Sequence, residues 1–298
     1  MMRIIITLLL ALNFSFATLP IESDSTDPLT KAFRNIQLDD TFMDHDIFES
    51  IKKRESFSQQ RFVDIYGNGA ILIPTIRDIF ERDGVPDLFA YMPVIESGFT
   101  AKVRSRAGAV GIWQLVPATA KNFGLKVSKK VDERKDPVKS TQAVSRYVRA
   151  MHAKFGKWYL VVMAYSCGEG TLQRAIERAK SDRAEVLLDP NKKYLSAETR
   201  THFKRLLTVY AMSHADNVSQ ALQAKMDKTE RYKITTVWVK KGYALTTVAS
   251  KLGMDPHELA RLNAHVGKQA KKEKNGFFSL NIPETKVDLF YSAIDSRS

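Results

Sequence analysis

Glu96 is the side chain in this sequence best placed for proton chemistry. It ends the apolar run Leu88-Phe89-Ala90-Tyr91-Met92-Pro93-Val94-Ile95 and precedes Ser97-Gly98-Phe99. A carboxylate beside so much apolar surface loses hydration when charged, which favours its protonated form. A glutamic acid kept protonated near neutrality is what a general acid for glycosidic cleavage requires. Taken alone, the same local pattern also fits a helix-end Glu turned to solvent. Other chemistries are poorly supplied. The single cysteine, Cys167, excludes an intrachain disulfide framework and a Cys-rich zinc site. The histidines His45, His152, His202, His214, His257 and His265 never form HExxH or another tight ligand pair, so a metal enzyme is not expected.

The elements that must position Glu96 are mostly helical. Ile73, Ile76, Ile79 and Phe80 repeat at helical spacing, and Asp83-Gly84-Val85-Pro86 stops that helix and starts the next. Leu88, Phe89, Met92 and Ile95 then line one face of a short helix. Amphipathic helices are predicted over 138–152 and 198–213. Trp158 to Tyr165 is almost wholly apolar; its length suits a buried helix or a buried strand, and its helical neighbours favour the helix. Residues 216–232 are polar and read as a linker. After it, Ile234 to Val239 is strand-like, Leu245 to Leu252 and Pro256 to Leu262 are helical, and Phe278 to Ile282 is a second strand. The expected fold is mainly α, with a helical domain over 58–215, a small βααβ module over 233–285 and a tail over 286–298. The basic run from Lys268 to Lys274 reads as a solvated loop inside that module.

Composition sets the surroundings. The 298 residues suit one large or two smaller domains at roughly 100–200 residues each. With 44% apolar and 27% charged residues, wholesale disorder, collagen and coiled coil are excluded. The 46 Lys and Arg exceed the 33 Asp and Glu, a formal net charge of +13. Residues 21–50 hold eight acids against Lys31 and Arg34, so 18–57 reads as an acidic, solvated extension and the remainder as strongly basic. The first 17 residues have the form of a signal peptide: Arg3, the short apolar run Ile4 to Phe16, and Ser15 and Ala17 as small residues before the cleavage point. The alternative is an uncleaved membrane anchor. An exported basic protein rarely meets nucleic acid, and a cell-wall polymer or an anionic membrane surface is the better partner.

Four motifs in register then point to a family. Glu96-Ser97 is followed by Ser105-Arg-Ala-Gly108-Ala-Val-Gly111-Ile-Trp113-Gln114, by Val131-Asp132-Glu133-Arg134-Lys-Asp136-Pro137, and by Ala164-Tyr165-Ser166-Cys167-Gly168-Glu169-Gly170. In this order and spacing, about residues 71–210 resemble the family-1 lytic transglycosylases, especially the membrane-bound murein transglycosylase D type. The resemblance implies a lysozyme-like SLT domain with Glu96 as its single acid/base. It also implies substrate contacts from Ser97, Ser105, Gly111, Gln114, Tyr165, Ser166 and Glu169. Gly108 and Gly111 would let backbone approach the sugar, and the Tyr165 phenol would orient carboxyl or substrate. Trp113 reads as core, and Asp132, Glu133, Arg134 and Asp136 as a salt-linked turn and helix cap. Glu169 suits a structural role or a cleft wall equally. Cys167 reads as a small buried apolar residue.

The chain departs from that pattern in three places. Ser166 stands where the family has Asn, Leu115-Val116 stand for Phe-Met before Pro117, and Ser196 stands for a turn proline. The first two put substrate hydrogen bonding and the fit around the sugar acetamido group in doubt. Gly242, Leu245, Val248, Leu252, Gly253, Leu259, Leu262, Asn263 and Ile282 resemble a LysM module, with Tyr243-Ala244 in place of the usual Asp-Thr. The transglycosylase resemblance implies a periplasmic enzyme, needing no metal or organic cofactor, that cleaves the MurNAc–GlcNAc β-1,4 bond of peptidoglycan without water and leaves 1,6-anhydro-MurNAc ends. A hydrolytic muramidase and a non-catalytic wall-binding scaffold are the rivals, and wall proteins are further candidate partners.

Overall fold

The apolar stretches fold as helices that stack around one of their number. The computed structural model describes residues 28–38, 42, 59–129, 131–215, 218, 220–222, 233–240, 242–266 and 276–295. The expected signal peptide, and most of the acidic extension and the linker, lie outside these residues. Among the described residues no helix is long and apolar enough to cross a membrane.

The chain runs through α1 (Pro28–Asn35), α2 (Gln59–Asn68), α3 (Ile73–Arg82), a 3₁₀ turn (Asp87–Tyr91), α4 (Met92–Glu96), α5 (Pro117–Asn122), α6 (Pro137–Phe155), α7 (Trp158–Cys167), α8 (Glu169–Ala179), α9 (Ala184–Leu187) and α10 (Ala197–Ser213). Helix α7 is apolar all round because it is central: every residue from Trp158 to Ala164 is buried. The ends follow local chemistry. Asp136 caps α6 by accepting from the amides of Val138 and Lys139 at 3.0 and 3.1 Å, and Gly156, with φ of 76°, closes it. Ser196, which stands in place of a turn proline, caps α10 by accepting from the Thr199 amide at 3.1 Å.

The acidic extension is not simply a solvated arm. Ala32, Phe33, Ile36, Leu38 and Phe42 are buried in the same core as α7, and α1 packs against α10. Gln37 Oε1 accepts from the Trp158 amide at 3.0 Å, and the Ile36 carbonyl accepts from the Tyr159 amide at 3.0 Å, so this segment caps the start of α7. The acids give the stretch its polar composition while its apolar residues fill one face. Within the expected linker, Val218 and Leu222 are also buried against the helical core.

After residue 232 the chain forms β1 (Ile234–Lys240), α11 (Leu245–Leu252), α12 (Pro256–Leu262), β2 (Phe277–Pro283), a 3₁₀ turn (Glu284–Lys286) and α13 (Val287–Phe290). β1 and β2 pair antiparallel, with Ile234 opposite Pro283 and Lys240 opposite Phe277. Val237, Val248, Leu252, Leu259, Leu280 and Ile282 make a second core. The tail expected from residue 286 instead turns helical, and Phe290 and Ile294 are buried in this core. The module is docked on the helical domain. The Ile234 amide donates to Thr75 Oγ1 at 2.8 Å, Asn281 Nδ2 donates to Asp136 Oδ1 at 2.9 Å, and Leu262 joins the larger core.

One turn braces the domain around the expected site. Arg134, its side chain 3% exposed, donates to both carboxylate oxygens of Asp132 at 2.8 and 2.9 Å and to the carbonyls of Gly108 and Leu115 at 2.8 and 3.0 Å. Glu133 accepts from Lys139 and from the Lys126 amide, both at 2.7 Å, which holds its carboxyl below its ordinary range against the opposing effect of burial.

Two stability tests follow. Phe33→Ala should cost about 3–5 kcal/mol in chemical denaturation, the usual loss for a fully buried Phe; a change within about 0.5 kcal/mol would mean that α1 lies on the domain without belonging to its core. Arg134→Met should cost about 3–5 kcal/mol, because Asp132 and two carbonyls lose their buried donors; an unchanged denaturation midpoint would refute the bracing role.

Candidate active site

The segment that delivers Glu96 is anchored before it arrives. Arg77 on α3 donates to the Tyr91 hydroxyl at 2.7 Å and to Asp87 at 3.2 Å, fixing both ends of the 3₁₀ turn. Burial pushes the Tyr66 and Tyr91 phenols upward, so both remain neutral donors and acceptors in this network. Met92, Pro93 and Val94 are buried, and the last residue of this short helix is Glu96.

The Glu96 side chain is 17% exposed, and its Oε1 lies 2.8 Å from Nε2 of His202, itself 16% exposed on α10. His202 is the residue that sequence reasoning missed. A signal was present: His202, Leu206 and Val209 share one face of α10, and Leu206 and Val209 are fully buried. Helical period therefore places a titratable ring on an inward face. Nothing in the sequence pairs that ring with a carboxylate 106 positions away.

The wall beside Glu96 is the looped stretch 103–115, pinned by isolated bridges from Val110 to Arg104 and Leu115. Three consecutive carbonyls of this loop are each taken by a side chain expected to touch substrate. Gln114 Nε2 donates to the Gly111 carbonyl at 2.8 Å, Ser97 Oγ to Ile112 at 2.9 Å, and the Tyr165 hydroxyl to Trp113 at 2.7 Å. Gln114 also reaches the Val103 carbonyl at 3.3 Å and holds a positive φ of 48°. The donors of these side chains are thus spent on the loop; Tyr165 has no second O–H with which to orient Glu96. Burial, reinforced by nearby Glu96, pushes the Tyr165 phenol well up, so it stays neutral.

Other expected positions sort as follows. Gly111 has φ of 89°, and a Cβ built there would collide with the Arg134 carbonyl, so the close approach it permits is protein to protein. Gly108, with φ of 78°, faces open space apart from the end of Arg104. Ser105 Oγ accepts from the Ala109 amide at 3.1 Å and closes the exposed turn of the loop. Ser166 is half-buried near the end of α7. Cys167 is half-buried, less enclosed than expected, and burial raises its thiol. Glu169 pairs with Lys154 at 2.5 Å, with both side chains about half exposed. Trp113 is fully buried and donates to Thr141 Oγ1 at 2.9 Å, as expected of a core residue.

The chemical content is a half-buried carboxyl with one hydrogen-bonding partner, set at the end of an apolar helix and beside a loop whose carbonyls are held by side chains. Such a group can give up a proton and take one back. No cluster of three or more His, Cys, Asp or Glu suited to a metal occurs among the described residues.

Residues 79–188 match the family described as Transglycosylase SLT domain. The chain is 29% identical over 190 residues to membrane-bound lytic murein transglycosylase D of Escherichia coli (strain K12), covering 62% of this chain and 40% of that protein. It is 40% identical over 102 residues to the putative tributyltin chloride resistance protein of Alteromonas sp. (strain M-1), covering 34% of this chain and 49% of that one. The chain thus spans less than half the length of either relative. Among solved structures it is similar to the lytic transglycosylase Slt of Pseudomonas aeruginosa, at 24% identity and a TM-score of 0.39 over 53% of this chain and 26% of that one. It is also similar to the 70 kDa soluble lytic transglycosylase of Escherichia coli, at 18% identity and a TM-score of 0.41 over 55% of this chain and 31% of that one. The matched stretch, residues 79–188, carries Glu96, its looped wall and the Arg134 turn, and is similar to the Transglycosylase SLT domain.

Proposed function

We propose that this protein is a peptidoglycan lytic transglycosylase in which Glu96 is the catalytic acid and base. The observation that carries the reading is the sheltered Glu96 carboxyl within the matched SLT segment, paired with His202. Glu96 donates its proton to the glycosidic oxygen between MurNAc and GlcNAc as the C1–O bond breaks. The positive charge at C1 is met by the substrate's own 2-acetamido group, the exception to the two-carboxylate scheme. Glu96, now a base, takes the proton from the C6 hydroxyl of the muramyl residue, and that oxygen closes the 1,6-anhydro ring on C1. Ser105 and Ser166 are proposed as polar substrate contacts. Ser97, Gln114 and Tyr165 act by holding the loop that faces the sugar, and their unspent lone pairs remain available to it.

The place of action follows from the same reading. The signal-peptide pattern suits export to the periplasm, and the murein transglycosylase relative is named as membrane-bound, which fits association with the cell envelope. The excess of 13 positive charges suits a polymer that carries peptide carboxylates. The C-terminal module is proposed as a LysM-like glycan-binding unit.

Glu96→Gln should keep the fold and lose lytic activity by about 100- to 10,000-fold, because an amide cannot deliver the proton. The check is digestion of purified sacculi with mass analysis of the products. Wild-type protein should yield anhydro-muramyl ends; products heavier by one water would identify a hydrolase. Near-parental turnover in the variant would remove Glu96 from the chemistry.

A further inference from the structure

The two nitrogens of His202 have unequal surroundings. Nε2 lies 2.8 Å from Glu96 Oε1, whereas Nδ1 is buried with no hydrogen-bond partner. That asymmetry bears on which nitrogen carries hydrogen. A proton on Nδ1 would be a buried donor with nothing to receive it, in the Nδ1–H tautomer and in the imidazolium alike. The Nδ1–H tautomer has a second fault. Its bare Nε2 would meet an ionised Glu96 oxygen lone pair to lone pair, and would accept the proton of a neutral Glu96 instead of leaving it for another acceptor. The Nε2–H tautomer suits both states of the carboxyl, donating to a carboxylate oxygen or to the carbonyl oxygen of the acid. Tyr165, the neighbouring group on α7, is held neutral by burial and gives its own hydrogen to the Trp113 carbonyl, so it does not compete for Glu96.

We infer that His202 is a positioning residue that acts as a neutral Nε2–H donor to Glu96 Oε1 in both protonation states of the carboxyl. This deepens the proposed reaction and rests on it. The donor occupies Oε1, so the transferable proton resides on Oε2. It passes from Oε2 to the glycosidic oxygen as the C1–O electron pair leaves with that oxygen. It is replaced on Oε2 by the C6 hydroxyl proton as O6 bonds to C1. The His202 hydrogen stays on Nε2 throughout, and its bond to Oε1 strengthens while Glu96 is negative, when a charged acceptor makes such a bond roughly twice as strong. Stabilisation that grows as the charge develops lowers the barrier without tightening substrate binding.

The tests use the full chain. Imidazole ¹⁵N chemical shifts at neutral pH should show His202 as the neutral Nε2–H tautomer. An Nδ1–H tautomer, or an imidazolium at that pH, overturns the assignment whether or not the protein cleaves peptidoglycan. In digestion of soluble glycan strands, His202→Phe should lower kcat by about 10- to 100-fold, the worth of a hydrogen bond to a charged group. KM should change by less than about twofold, because the interaction grows with charge. His202→Gln keeps an N–H donor and should recover most of the lost kcat at an equal melting temperature. Parental kcat in folded His202→Phe, or a His202→Gln variant as slow as an apolar one, refutes the inference. If His202→Phe does not fold, the tautomer and the His202→Gln rate decide it. Loss of the function itself would appear separately, as a wild-type protein with the expected tautomer and no lytic products.

Discussion

A buried arginine with most of its donors engaged is the constraint on which the rest of this site hangs. Arg134 spends two hydrogen bonds on Asp132 and two on the carbonyls of Gly108 and Leu115, the two sides of the loop that faces Glu96. A guanidinium taken out of water is tolerated only when its donors are matched in this way, so the turn and the loop have one workable arrangement relative to each other. Gly111 is part of the same constraint. The loop passes so close to the Arg134 carbonyl that no Cβ fits, and backbone contact replaces side-chain packing there.

Given that clamp, the polar motif residues take on a collective role. The loop cannot pair its carbonyls along a regular strand, because Gly111 and Gln114 both turn through positive φ. Gln114, Ser97 and Tyr165 supply the missing donors at residues 111, 112 and 113. Each comes from a different element: the loop itself, the end of α4 and the central α7. Glu96 is the last residue of α4, and Ser97 directly after it is the helix's C-cap. The distance from the acid to the wall is therefore set by the hydrogen bond next door, which is how a site is organised before a substrate arrives.

The helices at 73–82, 92–96, 137–155, 158–167, 197–213, 245–252 and 256–262, the two strands and the order of the motifs were legible in the sequence because each rests on local pattern: apolar period, caps, and Gly or Pro at the ends. The fate of individual side chains was not. Ser97 and Gln114 look like ligand-facing polar groups in sequence, and only the path of the loop shows that their donors serve carbonyls. Gly111 signals close backbone approach, yet the approaching partner is Arg134, 23 positions on. Phe33, Ile36 and Phe42 were masked by the acids around them, since composition over a window averages away one buried face. His202 was hidden for a different reason. A lone histidine on a helix is informative only when its partner is known, and the contact to Glu96 is made by tertiary packing alone.

The clamp also reaches the C-terminal module. Two residues beyond Arg134, Asp136 caps α6 and at the same carboxylate oxygen accepts from Asn281 of β2. Asn281 is fully buried, its own amide bonded to Asn263 at 2.7 Å and its side-chain oxygen accepting from Thr236 at 2.8 Å. A buried polar contact with partners this specific admits one docking geometry, because any other leaves Asp136 or Asn281 short of a partner. The module is thus seated on the turn that clamps the loop facing Glu96, rather than held by the linker alone. Whatever surface it engages, it does so in a fixed orientation relative to the Glu96 segment. The proposed wall-binding role then works by alignment as well as by the raised local concentration that a tether provides.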